Sequence, residues 1–218
     1  YAEVLLDRAG ALRVRLGQTN VPFGFENLVS SARRLPLDRA DALNSAAPTE
    51  RDQGVYAMWS PRAGRARYAA LGAGLDKGTG DFGLVMLGAY DGQTANRTEQ
   101  NNNLHTGIRV AYPFPVRGQV VEAMAFGYAG RYVVTPTQRS AGLAAPREFV
   151  DRRVGGALVL HPRPVGVQAE WNVGTGPEAD VAARTIVERR LAGGYVQAAY
   201  HARAGGRDLL PYVRAQRY

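Results

Sequence analysis

Cysteine is absent from the sequence, and histidine occurs only three times. Without cysteine there are no disulfide bonds, thiolate metal sites or cysteine nucleophiles. His105, His161 and His201 are tens of residues apart and lack metal-ligand spacing. No Gly-x-Ser-x-Gly motif accompanies them, as a serine hydrolase of that class would require. The residues therefore indicate no catalytic site, no metal site and no cofactor.

Long hydrophobic runs are also missing. Hydrophobic residues make up 45% of the chain and the mean hydropathy is -0.26. No stretch approaches the roughly 18 uninterrupted apolar residues of a transmembrane helix. A strand of a membrane barrel needs only about 9–11 residues with one apolar face. The chain also starts at Tyr1 without an initiator methionine, so we expect a fragment of a longer protein.

Lysine is nearly absent, because Lys77 is the only one among 27 basic residues. Against 19 acidic residues these give a net charge of +8, carried almost entirely by arginine. The planar guanidinium group suits phosphate, sulfate and carboxylate oxygens. A genome that favours Ala and Gly codons would give the same bias. Since the arginines are dispersed and no nucleic-acid-binding module accompanies them, we expect no nucleic-acid partner.

Runs of alternating apolar and polar residues dominate the sequence, separated by Gly, Pro, Asn and Asp. This pattern predicts antiparallel strands and an all-β fold. About eleven strands are predicted, at 2–8, 11–19, 52–60, 64–75, 81–91, 103–113, 117–133, 148–161, 163–174, 188–203 and 207–217.

The predicted joints alternate between short and long over much of the chain. Short joints are expected at 8–11, 61–64 and 161–163, and long ones at 25–51, 92–102, 135–147 and 175–187. Short periplasmic turns and longer extracellular loops alternate in this way in membrane β-barrels.

Three strands separate apolar and charged residues cleanly, which places Arg13, Arg15 and Arg109 on the polar face. In a barrel this is the lumen face, whereas in a soluble sandwich it would face water. The barrel interpretation predicts that the opposite parity faces outward, namely Leu12, Val14, Leu16, Ile108, Val110, Val167 and Trp171.

The long segment 25–51 contains Arg33, Arg34 and Arg39 together with several leucines. The leucines could anchor it against a barrel wall, so we expect it to fold into the lumen and hold its arginines near permeating anions. A positive lumen raises the local anion concentration. The glycine-rich stretch 71–80 around Lys77 lacks the order of a phosphate-binding loop and predicts a strand end with a turn.

Several motifs carry a family resemblance: Val14–Gln18, Val21–Glu26, Ser30–Ser31, Leu37–Arg39, Arg51–Val55, Ala192–Tyr200 and Leu210–Arg214. They resemble the phosphate-selective porin O/P family, in which Pro-Phe-Gly, a Ser-rich loop and an Arg-Asp strand entry follow one another. The resemblance implies a barrel of roughly 16 to 18 strands, usually trimeric, that passes phosphate or other small anions passively. Ala40 departs from the family pattern, which has Ser after the arginine, and the strand number indicates an incomplete barrel.

The sequence thus predicts a single outer-membrane β-barrel domain over residues 1–218, in the outer membrane of a Gram-negative bacterium. The expected function is an anion-preferring porin, not an enzyme, with outer-membrane lipid and small phosphate-like anions as partners. We expect a homo-oligomer such as a trimer, or an envelope assembly. The alternative is a structural or binding barrel with a closed centre. The predicted pore-lining residues are Arg13, Arg15, Arg33, Arg34, Arg39 and Arg109.

Overall fold

A computed structural model of the protein describes residues 1–73, 77–134 and 148–218. Strands account for most of its regular structure. They are Ala2–Leu5 (β1), Leu12–Asn20 (β2), Arg51–Trp59 (β3), Val85–Tyr90 (β4), His105–Val116 (β5), Gln119–Val133 (β6), Glu148–Leu160 (β7), Val165–Asp180 (β8), Thr185–Tyr200 (β9), Ala202–Ala204 (β10), Arg207–Leu209 (β11) and Tyr212–Arg217 (β12). Two helices, Asp41–Ala46 (α1) and Arg62–Ala73 (α2), complete the described elements. No described helix has the length and apolar character needed to cross a membrane.

Ten strands form one antiparallel sheet in the order β1-β2-β3-β4-β5-β6-β7-β8-β9-β12, and β10 pairs with β11 in a separate hairpin. From β1 to β9 each strand pairs with its neighbour in the chain, as the alternating pattern predicts, and β9 then pairs with β12. The all-β antiparallel prediction is confirmed. Within the described residues no ladder joins β1 to β12.

Connections fall at two ends of the sheet. The turn end carries the connections 6–11, 60–84, 117–118, 161–164 and 201–211. The loop end carries the connections 21–50, 91–104, 134–147 and 181–184. The tightest turn is Arg117–Gly118, where both residues have a positive φ, as a two-residue hairpin turn of this type requires.

The two faces of the sheet differ as the parity prediction requires. Six of the seven residues predicted to face outward are between 36% and 47% exposed, and Val14 on the same face is half-buried. The opposite parity is buried and defines the inner face, which carries Arg13, Met58, Met86, Arg109 and Phe126. A continuous row of exposed large apolar side chains is a surface that lipid covers, and soluble monomers avoid it.

The strand predicted at 64–75 is wrong, since residues 62–73 form the helix α2. Ala and Arg dominate this stretch and both have high helix propensity, while Pro61 suits the position before a helix. Tyr68 and Leu71 lie three residues apart and are buried together against Leu84. The short joint predicted at 61–64 is therefore wrong as well, because the whole of 60–84 connects β3 to β4.

The loop predicted at 175–187 is also wrong. β8 and β9 continue as a paired hairpin up to Asp180 and Thr185, leaving only 181–184 as a turn. Arg189 pairs with Asp180 at 2.7 Å across the hairpin, and such cross-strand pairs hold polar strands together.

Two strand boundaries at the chain ends differ from prediction. The strand predicted at 207–217 is interrupted after Leu209, because Pro211 has no N–H to donate to a ladder. The first strand ends at Leu5 instead of residue 8. The loop predicted at 135–147 lies outside the described residues.

Candidate functional site

The connection 21–50, called the inserted segment from here on, lies against the inner face of the sheet. Phe23 and Phe25 are almost completely buried. The Phe23 ring packs edge-on against Phe126 on β6, with centroids 4.7 Å apart, and against Tyr128 at 5.0 Å. The prediction that apolar residues of this segment anchor it to the inner wall is confirmed for Val29 and Leu43, which belong to the buried core. It is wrong for Leu37, which is 97% exposed. Phe23 and Phe25 supply anchors that were not predicted.

Polar contacts fix the segment to strands distant from the two it connects. The Glu170 carboxylate on β8 accepts hydrogen bonds from the backbone N–H groups of Phe25 at 2.8 Å and Glu26 at 3.2 Å. Arg214 on β12 donates to both Glu26 oxygens at 2.6 and 3.0 Å. Arg153 on β7 donates to two carbonyl oxygens of α1. Because the segment leaves β2, enters β3 and is held by β7, β8 and β12, it crosses the inner face.

Two of the predicted pore arginines stabilise the segment itself. Arg39 is buried and donates to the Asn27 side chain at 2.9 Å and to the Ala47 carbonyl at 2.8 Å. Its Nε lies 3.2 Å from the Glu50 carboxylate, which also pairs with Arg34. Burial lowers the pKa of Arg39, and the nearby Glu50 charge opposes that effect. One carboxylate thus compensates two guanidinium groups.

The predicted arginines of β2 are paired with acidic side chains. Arg13 lies 2.9 Å from Asp81, in the connection that contains α2. The Nε of Arg15 donates to Glu3 on β1 at 2.6 Å. Both guanidinium groups are on the buried side of the sheet, as their parity predicts, but neither presents an uncompensated charge.

Arg109 belongs to a buried network that attaches α2 to the sheet. It lies 3.1 Å from Glu122 on β6, and both side chains are fully buried. Tyr68 of α2 donates to the same Glu122 oxygen at 3.2 Å, and the His161 Nε2 is 3.3 Å from the other oxygen. Burial raises the pKa of Tyr68 well above its ordinary value, so this hydroxyl remains a donor. Arg109 is therefore a structural ion-pair partner within the wall.

Arg33 is the exception among the predicted arginines. It is exposed, and it has no carboxylate partner in the described part of the chain. It lines a cleft of about 850 Å³ together with Arg62 and Arg65 of α2. It also lines a narrow gap of about 10 Å³ that Lys77 and the β8 residue Gln168 share, which is about the space that one water molecule needs. Arg33 thus borders both the wide basic cleft and this narrow gap.

The loop end contains a cavity of different character. It has a volume of about 430 Å³ and is lined by Tyr90, His105 and Tyr128, with Asp52 and Asp151 among its polar groups. Asp52 accepts backbone N–H groups and pairs with no basic side chain in the described ranges. The inserted segment therefore separates an aromatic, acidic cavity from the basic cleft on the turn side.

Three residues of the candidate site were not predicted from the sequence, namely Lys77, Glu122 and Glu170. Lys77 lies in the glycine-rich stretch 71–80, which predicts only a strand end with a turn. The fact that it is the single lysine of the sequence could have marked it as a candidate site residue. Glu122 and Glu170 have the parity of inner-face residues, and both are buried. Their partners could not be predicted, because those partners lie 13 to 145 residues away in the chain.

The family model for phosphate-selective porin O and P matches residues 1–205 of the 218 residues. The chain belongs to the phosphate-selective porin O and P family. No curated protein and no solved structure gives a significant match.

The porin O and P family is a family of channels and not of enzymes, and its members reside in the outer membrane of Gram-negative bacteria. The sheet of this porin has the corresponding properties, with an exposed apolar outer face and a buried polar inner face. The inserted segment and α2 lie on the side where a barrel has its lumen.

Proposed function

We propose that this porin passes small anions such as phosphate passively, with an anion preference that Arg33 and Lys77 impose at the constriction. The observation that carries the proposal is the narrow gap between the inserted segment and β8, where both cations lie without a carboxylate partner among the described residues. A cation at a narrow, partly desolvated passage acts on a permeating ion more strongly than the same charge in open water.

The charges around the gap support a positive balance. Arg34 also lines it but is compensated by Glu50, and Glu26 is compensated by Arg214. Among the described residues, Arg33 and Lys77 add two positive charges that no carboxylate offsets, and the Glu50 site stays positive because Arg34 and Arg39 share its one carboxylate. Arg62 and Arg65 extend the positive region along the cleft towards the turn end, where they would concentrate anions before the constriction.

The remaining predicted arginines receive a different role in this proposal. Arg13, Arg15, Arg34, Arg39 and Arg109 are wall and scaffold residues whose charges are held by carboxylates. They would set the shape of the passage and the position of the two free cations. Their replacement would alter folding before it altered ion preference.

The test is the reversal potential of single channels in planar bilayers under a KCl gradient. The double variant Arg33→Gln and Lys77→Gln should shift the reversal potential towards cations while conductance stays measurable. A matched control replaces two exposed loop-end arginines, Arg97→Gln and Arg184→Gln, and should leave the reversal potential unchanged. An unchanged potential in the first variant, with normal conductance, would place selectivity elsewhere.

A second candidate function is a barrel with a closed centre that serves as a structural or binding module of the envelope. The observation in its favour is the apolar core between the inserted segment and the inner face, which includes Phe23, Phe25, Tyr56 and Met58. Purified protein that inserts into bilayers but never opens channels would support this function and contradict the proposed pore function. A trimer or other assembly remains a proposal, which chemical cross-linking in detergent would test.

A further inference from the structure

The two ends of the sheet differ in the charge of their connections. The turn-end connections contain nine basic and four acidic residues, a balance of +5. The loop-end connections contain seven basic and six acidic residues, a balance of +1. Every connection at the turn end carries at least one arginine, so the positive charge surrounds this rim instead of gathering at one point.

Six arginines of this rim are exposed, and several of the acids near them take part in hydrogen bonds or ion pairs. Asp7 accepts the backbone N–H groups of Ala11 and Leu12, and Asp81 pairs with Arg13. Asp208 accepts hydrogen bonds from Arg203 and lies beside His201. The exposed rim arginines are Arg8, Arg62, Arg117, Arg163, Arg203 and Arg207.

This basic rim adjoins the apolar outer face directly. Leu5 and Leu6 precede the turn that contains Arg8, and Phe114 and Val116 precede the turn that contains Arg117; all four apolar side chains are exposed. An arginine beside such a surface can lay its aliphatic stem on the apolar region and place its guanidinium group among headgroups.

The contact between Arg67 and Tyr112 joins the basic rim to the apolar outer face. Arg67 of α2 donates to the hydroxyl of Tyr112 at 2.7 Å, and its guanidinium carbon lies 5.3 Å from the ring centroid. Tyr112 is on the outer face and packs against Phe114. Tyrosines near the ends of barrel strands mark the interface between hydrocarbon and headgroups, and in a membrane Tyr112 and Arg67 would lie at that level.

We propose that the basic rim at the turn end binds the phosphate groups of anionic phospholipids, such as phosphatidylglycerol. Short turns of outer-membrane barrels face the periplasm, where the adjoining leaflet consists of phospholipids. Arg67 contacts an outer-face tyrosine, and Arg8 and Arg117 follow exposed apolar residues in the chain, which suits a lipid headgroup better than an acidic periplasmic protein. The loop end lacks a comparable charge excess.

Fluorescence quenching by brominated lipids tests this proposal on the folded full chain. The protein has two tryptophans, and Trp59 ends β3 at the turn end, whereas Trp171 is six residues inside β8. Six residues correspond to about 20 Å along a strand. The substitution Trp171→Phe leaves Trp59 as a reporter of the rim, and Trp59→Phe leaves Trp171 as a reporter of the bilayer interior.

The Trp59 reporter is placed in phosphatidylcholine vesicles with rising fractions of brominated phosphatidylglycerol or brominated phosphatidylcholine. We expect the phosphatidylglycerol to quench Trp59 at a severalfold lower mole fraction, and both lipids to quench Trp171 equally. The rim variant Arg8→Gln, Arg67→Gln and Arg117→Gln should lose the preference. The matched loop-end variant Arg97→Gln, Arg184→Gln and Arg190→Gln should keep it.

Folding of each variant is checked by its heat-dependent gel mobility. If the triple rim variant does not fold, the double variant Arg8→Gln and Arg117→Gln replaces it in the quenching assay. This variant should fold, because neither side chain makes a hydrogen bond or ion pair within the described ranges. Equal quenching of Trp59 by the two lipids overturns the proposal, and so does a preference that survives the rim variant. Displacement of phosphatidylglycerol by added lipid A at equal or lower fraction would assign the surface to lipopolysaccharide and overturn it too.

Discussion

The carboxylate of Glu170 is the contact whose removal should most directly release the inserted segment. It is 2% exposed and accepts the N–H groups of Phe25 and Glu26 at 2.8 and 3.2 Å. In Glu170→Ala both donors lose their acceptor within a buried site. A buried donor without an acceptor costs about 1–3 kcal/mol of free energy. The two donors together should therefore weaken the binding of the segment to the inner face by on the order of 2–6 kcal/mol.

The attachment would not vanish, because Arg214 and Arg153 still hold the segment. We therefore expect a segment that opens often while the sheet remains folded. Arg33 and Arg34 are trypsin sites within it, and Arg33 is already exposed, so tryptic cleavage there should accelerate by at least tenfold. Single-channel recordings should show a larger and noisier conductance.

The control is Glu178→Ala on the same strand, because the Glu178 side chain is 42% exposed and makes only a loose pair with Arg189 at 3.7 Å. It should match the unaltered protein in both assays. The cleavage rate of Glu170→Gln should lie between those of the unaltered protein and Glu170→Ala. Its amide oxygen can still accept one of the two N–H groups, whereas its NH2 group would face the other N–H donor. If Glu170→Ala shows the control's cleavage rate and conductance, the segment is not held by this carboxylate and the argument fails.

Three further substitutions probe the scaffold. Arg109→Met leaves the Glu122 charge buried and should lower the free energy of unfolding in urea by about 3–5 kcal/mol; a second change, Glu122→Met, should recover most of that loss, and no recovery would contradict a paired-charge role. Gly130→Ala would place a Cβ 1.8 Å from the His105 ring, which should cost about 1–3 kcal/mol through overpacking and be relieved by His105→Ala. Backbone N–H groups lower the pKa of Asp7 from its ordinary 3.8, so Asp7→Ala should be less stable than the parent at neutral pH. That difference should close as the pH falls from 3.8 through the lowered pKa, and a pH-independent difference would show that the charge is irrelevant.

The sheet was predictable because its information is local. Alternation fixes the face of a residue regardless of the partner strand, so Leu12, Ile108 and Trp171 were placed correctly from parity alone. The helix α2 was missed because a short Ala-rich and Arg-rich stretch between two strands carries both weak alternation and high helix propensity. The β8–β9 hairpin was cut short because its polar pairs are stabilised across the strands, which one strand's composition does not reveal.

The candidate site was harder to predict than the sheet. Whether the charge of an arginine is compensated depends on the side chain that the fold places beside it, and not only on the arginine itself. Six arginines were proposed from their type and parity, yet whether Arg109 or Arg33 is free depends on which acid the fold brings beside it. Glu122 approaches Arg109 through strand pairing, while Glu50 reaches Arg34 and Arg39 through the path of the inserted segment. Neither encounter follows from spacing in the sequence.

Two neighbouring residues of α2 connect opposite sides of the wall. Tyr68 reaches the buried Glu122 on the inner side, and Arg67 holds Tyr112 on the outer side. The helix therefore contacts the outer face of the sheet through Arg67 and the inner face through Tyr68. Bilayer thickness or lateral pressure that displaces Tyr112 would act on the inner network through a single peptide bond.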